Sequence, residues 1–352
     1  MNRFIWFDIT SQSVLALILG ASMFATFVRA DTFGSGANSF QIDFVTIGNP
    51  GNPGDPRRGS VPVTFRIGKY EISEDVVAIA NTLGVLNISS DSRGPNKPAT
   101  SISWNEAARF VNWLNVSSGY AAAYKFATQP GEPGYDANAN IELWQPADAG
   151  YNPSNVYRNT RSQFFLPSMD EWYKAAYYDP SKDIYYDHAT SSSQRPASTT
   201  GGADAGTIVY DLIYLYPGGG PADIDFAGGL STYGTMAQAG NVDEWLETAY
   251  DSNNNEVNEY RHIHGGNWYS GIYQIRKTDD RGGAPYSEAY FMGFRVASNV
   301  IPEPSALVLA ASSLGCTFLA WKRKRKRRRC QERMGVRKSC QEPFSPSPFM
   351  LP

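Results

Sequence analysis

Two short stretches in the C-terminal part of the chain carry residue types that perform chemistry. The first is MAQAGNVDEW, residues 236–245, in which a Gly-Asn pair leads directly into an Asp-Glu-Trp run. The second is YRHIHGGNWYSG, residues 260–271, which holds two of the three histidines and a serine. Carboxylates suit a hard cation, whereas a serine, a histidine and an aspartate suit hydrolysis. Both stretches are also typical of structural turns, so the elements around them have to decide between these interpretations.

Two helices with clear start signals are predicted to position these stretches. SISWNEAARFVNWLNVSSG (101–119) and FFLPSMDEWYKAAYYDP (164–180) each contain a serine followed three residues later by a glutamate, the capping box that begins a helix. These pairs are Ser103 with Glu106 and Ser168 with Glu171. The other predicted elements are a helix over 74–83 and strands over 61–73 and 292–298. Residues 120–160 and 181–235 show few periodic elements.

The N-terminus is typical of a secretory signal. Arg3 provides a positive start, residues 14–28 are apolar, and Val28 and Ala30 occupy the −3 and −1 positions of a small-residue cleavage site. We therefore predict a signal peptide over residues 1–30. An uncleaved membrane anchor is the alternative.

The C-terminal region joins three features in a specific order. A Pro-Glu-Pro motif opens residues 301–329, the apolar stretch 305–321 follows, and an unbroken basic run ends the segment. The apolar stretch would be roughly 25 Å long as a helix, near the lower limit for a bilayer span, and the basic run would stay in the cytoplasm. We predict a single transmembrane segment over 305–321 and a disordered tail over 330–352.

This order of features resembles the PEP-CTERM sorting signal of bacterial envelope proteins. The resemblance implies recognition by an exosortase, cleavage near the motif, and residence in the cell envelope or extracellular matrix. Before processing, the chain would be a single-pass membrane intermediate.

The two ends conceal an acidic and cysteine-free middle. The whole chain has 31 Lys and Arg, 34 Asp and Glu, and a net charge of −3. Residues 31–300 keep only 18 of the basic residues but 30 of the acidic ones, which argues against nucleic acid as a partner and favours cations. All three cysteines lie beyond this middle, at Cys316, Cys330 and Cys340. The middle therefore has no thiolate for chemistry or metal binding.

Six pieces of the chain, taken in order, resemble the signatures of one family. They are FRIGKYEIS, PATSISWNEAARFVNWLN, FFLPSMDEWYKAAYYD, AGNVDEW, HGGNW and GFRVAS, and together they resemble the formylglycine-generating enzyme, or sulfatase-modifying factor, family. The resemblance implies one domain over residues 61–299. Its expected fold is α+β, a C-type-lectin-like variant rich in irregular loops. Residues 31–60, rich in Gly, Pro and Asn, are predicted to be an N-terminal segment before the domain, in which GNPGNPGDP marks a loop.

The resemblance also locates the copper site of the active family members. These enzymes oxidise a sulfatase cysteine to formylglycine with copper held by two cysteine thiolates, shortly after the Gly-Gly signature. Aligned on residues 265–268, the two thiolate positions fall on Ser270 and Ile275. A hydroxyl is a poor ligand for a soft metal and an isoleucine is none. We therefore expect neither copper nor formylglycine-generating activity.

A calcium site is the second expectation from the resemblance. The family's oxygen ligands fall on Ala237, the carbonyls of Gly240 and Val242, and Glu244, although the alanine offers no side-chain oxygen. Gln238 and Asp243 are the candidates to replace that oxygen. The alternative is structural.

In the structural alternative, Gly240 and Asn241 form a turn, Trp245 fills the core, and Glu244 pairs with a backbone amide or a basic residue. Arg295, in the closing Gly-Phe-Arg piece, is expected to form a buried ion pair.

Three functions remain open at this point. The preferred one is a secreted or envelope-anchored, non-catalytic binding module that contacts envelope polysaccharide or a surface protein through flat aromatic rings. The candidate contacts are Tyr269, Tyr273 and Tyr286. The second is an enzyme of unknown reaction in the same cleft, with Ser270, His264, Arg276 or Asp279 as candidates. The third is a purely structural matrix component.

Overall fold

The described chain is built of short strands and small helices joined by long irregular loops. The computed structural model describes residues 28–300, except Arg57 and residues 216–218. These residues belong to one compact unit, Met1–Val300. The helices are α1 (Glu74–Gly84), α2 (Trp104–Ser117), α3 (Met169–Tyr177) and α4 (Leu212–Leu215). The strands are β1 (Val28–Ser35), β2 (Asn38–Ile47), β3 (Phe65–Gly68), β4 (Phe164–Phe165), β5 (Tyr178–Asp179), β6 (Ile184–Tyr185), β7 (Ala197–Ser198), β8 (Thr207–Ile208), β9 (Asp243–Ala249), β10 (Arg261–His264), β11 (Arg281–Gly283), β12 (Met292–Gly293) and β13 (Ala297–Asn299).

The larger sheet joins strands from both ends of the domain. Its order is β1-β2-β3-β13-β4, and every neighbouring pair is antiparallel. The closing strand β13 lies between β3 and β4, so the last residues of the domain are held by strands from its first half. The result is a β-rich mixed fold with small helices, which agrees with the general class predicted.

The hairpin of β1 and β2 belongs to the domain, although the sequence analysis placed residues 31–60 in a segment before it; the predicted loop GNPGNPGDP follows β2. β2 pairs along its C-terminal half with β3, so this hairpin is part of the sheet. Phe40, Ile42 and Phe44 alternate along β2 and are buried in the core. Their alternation is a strand signal that the nearby Gly and Pro content obscures. Strand β1 begins at Val28, before the cleavage position predicted at Ala30.

The predicted capping boxes of α2 and α3 are confirmed. In each helix the serine side chain accepts a hydrogen bond from the backbone N–H of the third residue, and the glutamate side chain accepts one from the serine N–H. Helix α2 packs on β1 and β4, and α3 packs on β9. The predicted helix over 74–83 is also confirmed, as α1, with Ser73 as its N-cap. These starts are local and follow from sequence alone.

The smaller sheet carries most of the residues that the sequence analysis singled out. Its order is β11-β10-β9-β12, with β12 parallel to β9 and the other pairs antiparallel. The MAQAGNVDEW stretch runs into β9, and the histidines lie on β10. The single strand predicted over 292–298 is instead two short strands, and that over 61–73 shrinks to β3.

Several predictions concern residues outside those described. The signal peptide up to residue 27, the sorting signal over 301–329 with its apolar stretch 305–321, and the tail over 330–352 all lie there. Among the residues that are described, no helix has the length and apolar character needed to cross a membrane.

Candidate functional site

The loop that leads into β9 is held in an unusual backbone conformation. Ala237, Gly240 and Asn241 all have positive φ angles, of 59°, 72° and 60°. A Cβ atom at Gly240 would lie 2.3 Å from the carbonyl oxygen of Val209, so only glycine fits there. An alanine at positive φ is strained, which implies that the surroundings fix this loop strongly.

A buried ion pair lies at the end of this loop. Glu244 and Arg295 are both fully buried, and the guanidinium donates two bonds of 2.6 Å, from Nε and Nη2, to the two carboxylate oxygens. The indole Nε1 of Trp172 donates a third bond, of 2.7 Å, to Glu244 Oε2. The structure thus confirms the predicted ion pair of Arg295 and identifies its partner.

The remaining donors of Arg295 hold backbone from other segments. Nη1 donates to the carbonyl oxygens of Gly68 and Lys69, and Nη2 donates to that of Met236. Each N–H of the planar guanidinium therefore has an acceptor in a region without water access, which is the condition under which a buried charge is tolerated.

A second buried carboxylate, Glu71, lies beside this pair and was not singled out from the sequence. It accepts bonds from Asn241 Nδ2 at 2.6 Å and from the Val242 N–H at 3.2 Å. Burial, and then the negative charge of Glu244, raise the pKa of Glu71 well above its usual range. The ionised form of Glu71 is thus disfavoured beside an ion pair that already contains one carboxylate.

Asp243 points to a different set of partners. Its Oδ1 accepts a 2.5 Å bond from Arg281 Nη2, and its Oδ2 accepts a 2.7 Å bond from Asn267 Nδ2. Arg281 also pairs with Asp279 at 2.7 Å. Asp243 is fully buried, so it acts here as the counter-charge that fixes β11 against β9.

This geometry favours the structural interpretation of the loop over the calcium site predicted at Gly240, Val242 and Glu244. Both oxygens of Glu244 already accept bonds from Arg295 or Trp172. The two candidates to replace the missing ligand at Ala237 are also occupied: Gln238 Oε1 accepts from Thr235, and Asp243 accepts from Arg281 and Asn267. Within the described residues, no group of three His, Cys, Asp or Glu could hold a metal ion. Calcium binding stays a prediction.

The two histidines of β10 are buried, and burial disfavours the charged form of both. The ring of His264 lies among those of Trp172, Tyr173 and Tyr177, and its Nδ1 accepts a 2.9 Å bond from the Gly265 N–H. Burial lowers the pKa of His264 well below its usual range. Its Nε2 has no hydrogen-bond partner in the described structure. The imidazole therefore packs as an aromatic side chain.

The hydrolytic arrangement of Ser270, His264 and Asp243 is not assembled. Ser270 Oγ accepts a 2.9 Å bond from the Asn267 N–H, and Asp243 is bonded to Arg281 and Asn267. No hydrogen bond joins the serine or the aspartate to the imidazole of His264 in the described structure. A triad requires both of those bonds, so the geometry provides no activated serine.

The three predicted tyrosine contacts are not equivalent. Tyr269 is half-buried, and its ring lies 5.2 Å from that of Trp268 and 6.1 Å from that of Tyr290. Tyr273 is 73% exposed and contacts the guanidinium of Arg276, while Tyr286 is exposed on another turn. No ring contact joins Tyr269 to Tyr273 or Tyr286 among the described residues.

Tyr290 was missed by the sequence analysis and completes an aromatic group with Trp268 and Tyr269, called the Tyr269–Tyr290 cluster below. Its ring lies 6.0 Å from that of Trp268 and is 49% exposed. Arg93 covers another part of the Trp268 ring, at 5.1 Å. The cluster is a rigid aromatic base with one half-exposed ring on top.

Comparison of the sequence with known protein families identifies the domain. Residues 44–300 match the family model described as "Sulfatase-modifying factor enzyme 1-like domain". The chain belongs to this family. The match begins in the C-terminal half of β2, at the residues of that strand that pair with β3 in the larger sheet. No curated protein sequence matches the chain.

Solved structures share the fold at low sequence identity. Treponema denticola variable protein 1 superposes with a TM-score of 0.53 and 17% identity, covering 78% of this chain and 100% of the other. CarF superposes with a TM-score of 0.54 and 17% identity, over 74% of this chain and 99% of the other. Both are similar to this chain in fold alone.

The two residues that the resemblance aligns with the copper thiolates do not suit copper. Ser270 offers a hydroxyl that already accepts a backbone bond. Ile275 is fully buried in the core cluster that includes Trp172 and Leu246. Neither residue supplies the soft ligand that copper prefers, so no catalytic step is assigned to such a metal here.

We predict that Glu244→Gln lowers the free energy of unfolding by about 3–5 kcal/mol, because it removes the carboxylate that is bonded directly to the buried Arg295 cation. The measurement is equilibrium chemical denaturation of the full chain. Glu142→Gln is the matched control, since that glutamate is half-exposed and lies 4.0 Å from Lys125, where a change below about 1 kcal/mol is expected. A loss for Glu244→Gln as small as that of the control would contradict the assigned role.

A pH-dependent loss of stability is expected from His262. Burial, and then the Arg58 charge, lower its pKa to about 4, against a small opposing effect of Asp280. The unfolded chain therefore takes up a proton near pH 6.5 that the folded chain refuses, and wild type loses stability as the pH falls from about 6.5 to 4, by about 3 kcal/mol in total. The variant His262→Gln lacks the titrating group, so it should not show this part of the stability loss at low pH. Denaturation curves of both proteins at several pH values provide the test, and parallel pH profiles would refute it.

Proposed function

We propose that the chain is a secreted or envelope-anchored, non-catalytic binding module, which contacts envelope polysaccharide through the Tyr269–Tyr290 cluster. The observation that carries this proposal is the cluster itself, a half-exposed tyrosine ring fixed on a buried tryptophan. Aromatic rings held in place in this way offer a large contact area at low entropic cost. Sugar rings present apolar faces of matching shape.

The non-catalytic part of the proposal rests on the fate of the reactive side chains. The carboxylates of Asp243 and Glu244 form ion pairs with arginines, and His264 is enclosed by aromatic rings. Ser270 and Ile275 replace the thiolates of the active enzymes. The scaffold is thereby retained without the groups that would perform an oxidation or a hydrolysis.

Localisation in the envelope rests on the two ends of the sequence. The signal peptide over 1–30 and the PEP-CTERM-like segment over 301–329 together favour export, retention in the membrane through 305–321, and processing by an exosortase. The fold of the domain as a C-type-lectin-like variant suits such a role, because that architecture presents variable loops on a rigid core.

The first test concerns export. We expect the mature protein to begin at Asp31, because Val28 and Ala30 form the small-residue cleavage site. Cleavage there removes three residues of β1 but keeps the carboxylate of Asp31, which accepts two bonds from Arg66 of β3. Mass spectrometry of the protein recovered from the envelope of an exosortase-containing bacterium gives both termini. Ala30→Gln should abolish this cleavage, and an intact N-terminus in wild type would remove the proposed localisation.

The second test concerns the ligand. Affinity electrophoresis of the full chain through the source organism's envelope polysaccharide should show retardation. The double variant Tyr269→Ala, Tyr290→Ala should lose it, with affinity falling roughly thirtyfold, the effect of removing a central aromatic contact worth about 2 kcal/mol. Tyr260→Ala is the matched control, because that ring is as exposed as Tyr290 but lies on the turn before β10.

Retardation that survives in the double variant would reject the cluster as the binding surface. Absence of retardation in wild type would reject polysaccharide and leave a surface protein as the remaining class of ligand. Turnover of an envelope substrate, lost in Ser270→Ala or His264→Gln, would favour the enzymatic alternative instead.

A further inference from the structure

A cavity outside the site described above lies between the C-terminal end of α1 and the last turns of α2. Its volume is about 420 Å³, within the size range of small-molecule pockets. Its walls are mainly apolar, from Leu86, Trp113, Val116 and Pro130. Val116 is 62% exposed at the rim, so the cavity opens to the surface.

The indole of Trp113 forms a fixed wall of this cavity. Its ring contacts Phe40 and Phe110, and it lies so close to α1 that a Cβ at Gly84 would be 2.4 Å from its Cδ1 atom. The glycine thus allows the indole to lie against the end of α1. A flat, immobilised aromatic wall favours a ligand with a flat apolar body.

The cavity also contains an incompletely bonded cation, Arg109. The residue is 3% exposed, and its guanidinium is sandwiched between the rings of Phe126 at 3.8 Å and Tyr135 at 4.7 Å. Nη1 donates a 2.7 Å bond to the Thr128 carbonyl, but Nε and Nη2 have no hydrogen-bond partner. In the described structure no carboxylate forms an ion pair with it.

This state of Arg109 differs from that of Arg295 and Arg66. Arg295 has an acceptor for each of its nitrogens and a carboxylate partner, and Arg66 pairs with Asp31. Among the described residues Arg261 also lacks a carboxylate partner, but both of its terminal nitrogens donate hydrogen bonds and it does not line the cavity. Burial lowers the pKa of Arg109, and the nearby Tyr135 and Asp136, neither of which is hydrogen-bonded to the guanidinium in the described structure, act in the opposite direction. A buried charge that lacks its partner is costly, and an anion that reaches it recovers part of that cost.

We propose that this cavity binds a small amphipathic anion, whose flat apolar body packs on Trp113 and whose carboxylate faces Arg109. The apolar walls select the body, and the unpartnered nitrogens of the guanidinium select the charged end. Those two nitrogens are covered by neighbouring side chains, so the carboxylate reaches them when these side chains move aside. The site is independent of the Tyr269–Tyr290 cluster.

The experiment compares two isosteric probes, 4-phenylbutyrate and the neutral 4-phenylbutyramide, by isothermal titration of the purified full-length chain. We expect the acid to bind at least tenfold more tightly than the amide. Arg109→Gln should remove this preference by weakening the acid alone. Equal affinity for the two probes, no binding of either, or an unchanged preference in Arg109→Gln would each overturn the proposal.

A second pair of variants covers the case in which Arg109→Gln does not fold. Val116 is exposed at the rim, so a charged residue there is tolerated. Val116→Glu should weaken the acid at least tenfold by repulsion, whereas Val116→Lys should preserve its binding. Val63→Glu is the matched control, since Val63 is similarly exposed and does not line the cavity. The same response to Val116→Glu and Val116→Lys would show that charge at the cavity does not matter, and would refute the site.

Discussion

The ion pair of Glu244 and Arg295 is the constraint on which the centre of this domain depends. A charge removed from water is costly to folding unless it is paired and hydrogen-bonded. Arg295 meets this requirement with donors to β9, to the end of β3 and to the loop before β9. Trp172 adds a contact from α3. One side chain thus joins both sheets and a helix, and none of these segments can shift without leaving a polar group unpaired.

The strained conformation of the loop before β9 follows from this requirement. The Met236 carbonyl has to reach Arg295, and Asn241 has to reach Glu71 while its own amide oxygen accepts from the Ala222 N–H. A chain of ordinary backbone angles does not achieve both within so few residues, and the positive φ angles of Ala237, Gly240 and Asn241 are the result. The residues of this loop that suggested a catalytic or metal site in the sequence therefore form the buried contacts that hold the domain together.

Elements whose signals are local could be predicted, and partners brought together by the fold could not. The capping serines and glutamates of α2 and α3 lie three residues apart, and both helices begin where expected. The partners Arg281 and Arg295, by contrast, are separated by 38 and 51 residues from the carboxylates they bind. Only the Gly-Phe-Arg signature indicated Arg295, through resemblance. The role of Glu71 had no local signal at all.

The same reasoning explains which surface residues were missed. Tyr269 was singled out by its position beside the Gly-Gly-Asn-Trp piece, but its partner Tyr290 comes from the turn before β12 and has no sequence pattern in common with it. Arg109 resembles any polar residue of an amphipathic helix. Two of its nitrogens lack a hydrogen-bond acceptor because Phe126 and Tyr135, from the irregular segment after α2, cover the guanidinium with aromatic rings.

A core fixed by ion pairs shifts the possibilities for function to the exposed loops. Since Glu244, Asp243 and His264 are committed to the interior, substitutions near them change stability before they change specificity. The exposed ring of Tyr290 and the rim of the α1–α2 cavity are not part of these buried contacts, so substitutions there should change stability little. A rigid base with exposed rims is what the proposed recognition requires, because recognition needs shape and charge at the surface while the buried ion pairs hold the base in place.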